Sequence, residues 1–295
     1  MIVKLSGESP ARNQQHPRFI LSLLAGALIA AVILLSATTG CTSGPTETRE
    51  DSFTVSGYSR LVVNSENGNI EVNVGLGNEV LVEATLKDAP RVQYDVSQVG
   101  NTITVDVRTS KRWWVFDGAG ADITITAPVT SDVELDTSNG FIELHGLEGS
   151  GYLRSSNGRI VLDTLQGDFD AGTSNGRIEV NAVAGNLTLK TSNGKVDLSD
   201  AWGEFKVETS NGGISFNGNM TAGGSNRLVT SNGDVVVELQ GTPSVVIDTE
   251  TSNGKVTSEL PVLATVTKNN RLVGKIGAGE ADLYIRTSNG DIKIR

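Results

Sequence analysis

The chain has 295 residues, a formal net charge of −10 and a single cysteine. This acidic balance argues against a nucleic-acid-binding protein, because such proteins depend on clustered Lys and Arg. One cysteine excludes an internal disulfide, and two histidines, His16 and His145, have no identifiable partners for a metal cluster or a Ser-His-Asp triad.

Residues 1–40 have the order of an export signal. Basic residues precede an uncharged, largely apolar run over residues 19–39, and the cysteine, Cys41, follows directly. A basic segment, an apolar segment and small residues before a cleavage point are typical of an exported protein. The segment 1–40 is therefore predicted to be a signal peptide that directs the rest of the chain out of the cytoplasm.

Cys41 offers a route to the membrane. The tetrad Thr38-Thr39-Gly40-Cys41 resembles a bacterial lipobox, and the resemblance implies that Cys41 is lipidated and becomes the mature N-terminus. The alternative is that the apolar run stays in the bilayer as a single spanning helix, for which about 20 residues suffice. Both alternatives place the later residues outside the cytoplasm. Residues 41–52, rich in Thr, Ser, Glu and Gly, are predicted to form a flexible tether.

A tetrapeptide, Thr-Ser-Asn-Gly or a close variant, recurs through residues 53–295. Five copies are spaced 18 residues apart, two more follow at 21-residue steps, and another comes 36 residues later. An earlier relative, Ser65–Gly68, lies 72 residues before the first regular copy. Repetition at a fixed period is typical of a solenoid. The asparagines of the regular copies are Asn139, Asn157, Asn175, Asn193, Asn211, Asn232, Asn253 and Asn289.

Apolar residues hold fixed positions around each asparagine, at −6, −4, +3 and +5. Spacing by two is strand periodicity with one face buried, and an apolar residue at +8 with Gly at +10 indicates a second corner. We therefore predict an all-β fold, a single-domain parallel β-solenoid (β-helix) of about 18 residues per coil. A flattened two-sheet cross-section and right-handed coiling are expected. The coil around Asn193 has Leu187, Leu189, Val196 and Leu198 at these positions.

The corner residues have a structural interpretation. Asn and Gly both tolerate positive φ, which a tight corner requires. The Thr two residues before each Asn falls in the inward register, so stacked Thr hydroxyls and stacked Asn amides would form two ladders that satisfy corner backbone groups. The alternative is a row of polar groups that binds a ligand. Recurrence of the same residues in every coil favours the structural role.

Residues 80–128 are predicted to be an irregular section of the solenoid, because the motif lapses there while alternating strands persist. This section contains the densest aromatic cluster, with Trp113 and Trp114. These side chains either pack over an open side or form a loop that contacts sugar or membrane, where Trp rings are well suited. Regular coils are predicted over residues 129–295, ending on an exposed edge strand whose Lys293 and Arg295 discourage edge-to-edge pairing.

One column of basic residues is a candidate ligand surface. Position +2 faces outward and carries Arg159, Arg177 and Lys195 in three successive coils. Such a column suits an anionic glycan. The alternative is an ordinary solvated face, since acidic residues at +4 can compensate the charge. The compensating residues are Glu143, Glu179 and Asp197.

The run Thr-Ser-Asn-Gly-x-Ile-x-Val, as in Thr173–Val180, resembles the putative adhesin family of bacterial β-solenoid envelope domains. The resemblance covers residues 53–295. It implies a solenoid on the cell envelope, and it supplies no catalytic residues to carry over. No cofactor and no metal site are expected.

The leading functional hypothesis is a non-enzymatic lipoprotein of the cell surface or periplasm that acts as an adhesion or binding scaffold. Its expected partners are the membrane, through a lipid or an N-terminal helix, and a glycan, the cell wall or an envelope protein, but not nucleic acid. The alternative is an envelope-stress or regulatory module that docks a membrane partner. A third class, a polysaccharide-active β-helix enzyme, is disfavoured because short coils build no cleft and the Asp residues form no preorganised pair.

Overall fold

The computed structural model describes residues 44–110 and 118–295. Within these residues the chain forms 23 β-strands and one short 3-10 helix, Ala89–Arg91. The predicted all-β class is confirmed. No helix within the described ranges is long and apolar enough to cross a membrane. The predicted signal peptide, Cys41, Trp113 and Trp114 lie outside the described residues.

The first nine strands are β1 (Glu47–Thr54), β2 (Ser59–Ser65), β3 (Ile70–Val74), β4 (Glu79–Lys87), β5 (Val92–Val99), β6 (Thr102–Thr109), β7 (Gly120–Ala127), β8 (Ser131–Thr137) and β9 (Ile142–His145). The central strands are β10 (Gly151–Ser155), β11 (Ile160–Gln166), β12 (Phe169–Thr173), β13 (Ile178–Thr191), β14 (Val196–Glu208), β15 (Ile214–Met220), β16 (Ser225–Val229) and β17 (Val235–Leu239). The last are β18 (Val245–Asn253), β19 (Val256–Ser258), β20 (Leu263–Lys268), β21 (Arg271–Ile276), β22 (Ala281–Asn289) and β23 (Ile292–Ile294).

Central strands pair in parallel with strands one repeat away. β8 pairs with β10 so that Thr137 lies beside Ser155, and β10 pairs with β12 so that Ser155 lies beside Thr173. On the other side of the Asn-Gly corner, Ile142, Ile160 and Ile178 share one column across β9, β11 and β13. The 18-residue spacing therefore places each motif directly beside its neighbour. We use "coil" for the two strand segments that flank one such corner.

The positions predicted to face inward are buried, which confirms the inward register. In the coil around Asn193, the four apolar side chains are at most 1% exposed. In the next coil, Phe205 and Phe216 pack edge to face with ring centroids 4.9 Å apart. Each fully buried side chain of this size contributes about 1.5–3 kcal/mol by the hydrophobic effect. Apolar burial within each coil therefore provides the main stabilisation.

The order of coils along the stack differs from their order in the sequence. The first coil, β2–β3, lies between β6–β7 and β8–β9, with parallel pairing on both sides. The last coil, β22–β23, lies between β16–β17 and β18–β19 in the same manner. The expectation of an exposed edge strand ending in Lys293 and Arg295 is therefore wrong. Instead, Lys293 contacts Glu259 at 2.8 Å.

Within the predicted irregular section, residues 80–110 and 118–128 form regular strands. β6 and β7 belong to the parallel stack, whereas β5 pairs antiparallel with β6, and β4 pairs antiparallel with β7. A terminal coil has one row of unpaired backbone groups, which is costly and prone to aggregation. The antiparallel strands occupy that row and thereby cap this end of the stack.

The other end has an equivalent cap, which corrects the prediction of regular coils throughout residues 129–295. β20 and β21 form an antiparallel hairpin, and β21 pairs antiparallel with β18. This hairpin, over residues 263–276, lies within the 36-residue gap between the motifs of Asn253 and Asn289. The gap therefore contains a cap rather than a skipped coil.

The predicted tether over residues 41–52 is too long, because β1 begins at Glu47 and pairs antiparallel with β4 along its length. Asp51 is 6% exposed and accepts a 2.9 Å hydrogen bond from the Tyr94 hydroxyl. Burial raises the pKa of Tyr94, and the nearby Asp51 carboxylate raises it further. This inward carboxylate interrupts the apolar pattern of β1, which is why composition alone indicated a flexible segment.

Candidate functional site

Nine asparagine side chains form one continuous hydrogen-bonded column at the Asn-Gly corners. Except for Asn67, which begins the column, each Nδ2 donates to the Oδ1 of the adjoining coil over 2.5–2.9 Å. Each interior amide both donates and accepts within the column. The column therefore mainly holds neighbouring coils together. Along the stack the column runs Asn67, Asn139, Asn157, Asn175, Asn193, Asn211, Asn232, Asn289 and Asn253.

The inward threonine hydroxyls bridge backbone groups of adjacent coils. Thr173 Oγ1 donates to the carbonyl oxygen of Gly158 at 2.9 Å and accepts from the Gly176 N–H at 3.2 Å. Thr191 makes the same pair of bonds to the Gly176 carbonyl and the Gly194 N–H. The second polar ladder therefore runs through the backbone. It satisfies corner groups that would otherwise be buried without partners.

The motif glycines are required by close approach of neighbouring backbones. A Cβ added to Gly176 would lie 1.9 Å from the carbonyl oxygen of Gly158, and one added to Gly194 would lie 1.8 Å from that of Gly176. The prediction that motif Asn and Gly generally provide positive φ is wrong, since these two glycines and the motif asparagines do not adopt it. Three non-glycine residues with φ of 51–56° lie instead at the second corner: Thr164, Ala182 and Asp200.

The predicted basic column lies on one exposed face, and each member is paired with an acidic side chain. Arg177 Nη1 lies 2.8 Å from Glu179 Oε1. Arg159 pairs with Glu143, whose hydrogen bond raises the pKa of the guanidinium, and Lys195 pairs with Asp197. The three basic side chains are 52–62% exposed. Exposed pairs of this kind contribute roughly 0–1 kcal/mol each, and they reduce the attraction of the column for an anion.

The described residues bring no three His, Cys, Asp or Glu side chains together in an arrangement suited to a metal ion. His145 Nδ1 lies 3.5 Å from Asp163 Oδ2. Asn181 also donates to Asp163 at 2.6 Å. The hydrogen bonds from Asn181 and His145 lower the pKa of Asp163 despite partial burial. These contacts make a surface hydrogen-bond network that joins three coils.

A polar surface that the sequence analysis did not single out lies beyond the second corner. Trp202 is 64% exposed and lies directly beside Asn219 of the adjoining strand. Asn219 in turn lines a cavity of about 110 Å³, which we call the second-corner pocket. Its other lining residues are Met220, Ala222, Leu239, Gln240, Thr242, Pro243, Ser244, Val245 and Glu280. One sequence feature could have indicated this surface. Trp202 is aromatic, whereas the equivalent positions of other coils hold small or polar residues.

Comparison with solved structures found several matches of low sequence identity. A putative adhesin from Bacteroides fragilis is 14% identical, with 84% of this chain and 97% of that chain covered and a TM-score of 0.48. A putative adhesin from Parabacteroides distasonis is 11% identical, with 85% and 98% covered and a TM-score of 0.43. A putative lipid binding protein from the same species is 11% identical, with 85% and 97% covered and a TM-score of 0.43.

Comparison with curated proteins gave no match. The model of the Toastrack DUF4097 family matches residues 58–295, from the strand segment before the first Asn-Gly corner to the last coil. This range includes every copy of the repeated motif and both caps of the stack. The chain therefore belongs to the Toastrack DUF4097 family.

Proposed function

We propose that the protein is a non-enzymatic binding scaffold that works outside the cytoplasm, attached to the membrane through its N-terminal segment. The observation that carries the proposal is the hydrogen-bonded stack, in which corner side chains bind one another and hold the exposed strand faces in fixed register. A rigid surface loses little conformational entropy when a ligand binds. Rigidity of this kind suits adhesion to a glycan, the cell wall or an envelope protein.

We also infer that the coils wind as a right-handed, flattened solenoid with two main sheets. Parallel pairing at an 18-residue offset supports this geometry, and right-handed crossovers are the rule for parallel strands. In such a solenoid, side chains at one repeat position form straight columns about 4.8 Å apart. The column of Arg159, Arg177 and Lys195 is then one candidate contact surface. The segment with Trp113 and Trp114, which lies outside the described residues, is another.

Membrane attachment is expected through Cys41 or through the apolar run that precedes it. Metabolic labelling with a fatty acid, applied to wild type and Cys41→Ala, separates these routes. Lipidation predicts label in the wild type and none in the variant, whereas a spanning helix predicts membrane attachment of both without label. Protease treatment of intact cells and of spheroplasts then reports on which side of each membrane the repeats lie.

The binding function is tested with the purified protein and isolated cell envelopes. We expect saturable binding to cell walls, to their glycans or to an envelope protein, measured by co-sedimentation. Absence of binding to all of these would overturn the scaffold proposal. Recovery of a single membrane protein after crosslinking, without affinity for glycans, would favour the regulatory module that docks a membrane partner.

A further inference from the structure

The exposure of Trp202 is exceptional within the repeat. A tryptophan side chain carries a large apolar surface, and leaving 64% of it exposed forgoes much of the free energy that burial would provide. The corresponding positions in neighbouring coils show that stacking does not require an aromatic residue. Adjacent along this column are Glu148, Gln166, Ala184, Trp202 and Asn219.

The neighbours of Trp202 leave its side chain accessible. Ala184 lies beside it in β13, and Asn219 lies beside it in β15. Adjacent strands are about 4.8 Å apart, and neither of these small side chains can cover an indole ring. Asn219 therefore connects an exposed aromatic surface with the second-corner pocket.

The second-corner pocket combines an apolar lining with unpaired polar groups. Val245 is 2% exposed, and Met220 and Leu239 pack against the core. Within the described parts of the chain, the side chains of Asn219 and Glu280 form no hydrogen bond or ion pair with another residue. The Thr242 side chain likewise forms no hydrogen bond with another described residue. Binding pockets typically have this composition, an apolar surface with a few polar groups that set orientation.

This arrangement differs from the other polar surfaces of the molecule. In the asparagine column each interior amide is used by its neighbours, and in the basic column each cation has an acidic partner. At the pocket, Gln240 donates a hydrogen bond to Asp200, whereas the Asn219 amide remains free to donate and accept. The pocket is thus a place where the described fold leaves amide, hydroxyl and carboxylate groups together without internal partners.

We propose that Trp202 and the second-corner pocket bind a neutral pyranose residue that carries an acetamido group, within a cell-envelope glycan. This proposal rests on the binding function proposed above and names its ligand class. The C–H face of the sugar would stack on the indole, and the acetamido group would enter the pocket. Its amide can exchange hydrogen bonds with Asn219, and its methyl group suits the apolar lining formed by Met220, Leu239 and Val245.

Local charge favours a neutral sugar over an anionic one. Glu280 lines the pocket, and Asp200 and Glu204 lie two residues on either side of Trp202. The lining residues include no Lys or Arg. A carboxylate or sulfate on the sugar would therefore be repelled, whereas sugar hydroxyls can donate hydrogen bonds to the acidic side chains.

The test measures binding of chitotriose to the full chain in detergent micelles by isothermal titration calorimetry. We expect saturable binding of chitotriose, at least tenfold weaker binding of cellotriose, which lacks the acetamido group, and no gain for an oligosaccharide of hyaluronan. Trp202→Ala and Asn219→Ala should each weaken chitotriose binding at least tenfold. The matched control is Tyr152→Ala, which removes another aromatic that is 47% exposed and should leave binding unchanged.

Each outcome bears on the proposal. Equal affinity for chitotriose and cellotriose would overturn the role of the acetamido group, and unchanged binding by Trp202→Ala would overturn the site. If chitotriose does not bind but isolated envelopes still do, this ligand assignment is wrong while the scaffold function stands. Circular dichroism of each variant, expected to match the wild type because Trp202 and Asn219 are exposed, separates lost binding from lost folding.

Discussion

Gly176→Ala should destabilise the stack strongly, because the new methyl group has no space. Its Cβ would lie 1.9 Å from the Gly158 carbonyl oxygen and 2.4 Å from the carbonyl carbon. Acceptable contact needs roughly 3.2 Å, so the two backbones must separate by more than 1 Å. Separation weakens the bonds of Thr173 to Gly158 and of Asn175 to Asn157, at 2.9 and 2.7 Å.

Each weakened hydrogen bond costs about 0.5–1.5 kcal/mol, and overpacking costs about 1–3 kcal/mol more. We therefore expect a loss of roughly 3–5 kcal/mol in the free energy of unfolding, a large part of the 5–15 kcal/mol typical of folded domains. The assay is urea unfolding followed by circular dichroism, with the denaturation midpoint as the readout.

The matched control is Gly172→Ala, in strand β12 only four residues away. The three atoms nearest to a Cβ at Gly172 would all belong to the flexible side chain of Arg154, at 3.3 Å. Because alanine is favoured over glycine within a strand by about 0.5–1 kcal/mol, this variant should be neutral or slightly stabilised. Equal midpoints for the two variants would refute the close-approach explanation of the motif glycine.

Three further predictions concern the core, the second corner and acid stability. Leu189→Asp places a charge where the side chain is 0% exposed, and loss of cooperative unfolding in circular dichroism is expected; a native-like midpoint would contradict the inward register. Ala182→Gly relieves a left-handed backbone costing about 1–2 kcal/mol and should raise the urea midpoint, whereas Ala184→Gly on the same strand should lower it. Asn181→Ala should raise the pKa of Asp163, followed by carbon-13 NMR. Because the folded-state pKa of Asp163 is depressed, the stability that this carboxylate provides is fully present above its unfolded pKa of about 3.9. This stability is lost as pH falls through the folded-state pKa. The variant should therefore have a lower free energy of unfolding than wild type at neutral pH and the same value in acid.

The inward register could be predicted from sequence because every coil has nearly the same surroundings. Leu187 and Leu189 alternate with outward residues, and a buried face at period two leaves one register available. Coil order could not be predicted, because coils that share the same motif can pair with one another equally well. The position of β22–β23 between β16–β17 and β18–β19 depends on the hairpin that precedes it, and this hairpin has no motif.

The candidate surfaces differ in predictability for a similar reason. Asn175 and its equivalents recur in every coil, so their column follows directly from the period. The second-corner pocket depends on chain connections that do not repeat, with residues 240–245 and Glu280 brought together by the inserted coil. Trp202 departs from the repeat, but its significance depends on which residues the fold places beside it.

The insertion of the last coil has a mechanical consequence. In an ordinary stack, force on the terminal coil peels it from a single neighbour. Here β23 is bonded on both sides, to β17 and β19, and the Arg295 N–H donates to the Val237 carbonyl at 2.8 Å. Among the described strands, β1 pairs with β4 alone. If the N-terminal segment holds the protein at the membrane as proposed, tension against a bound surface should make the fold yield first at β1, while the inserted last coil stays intact.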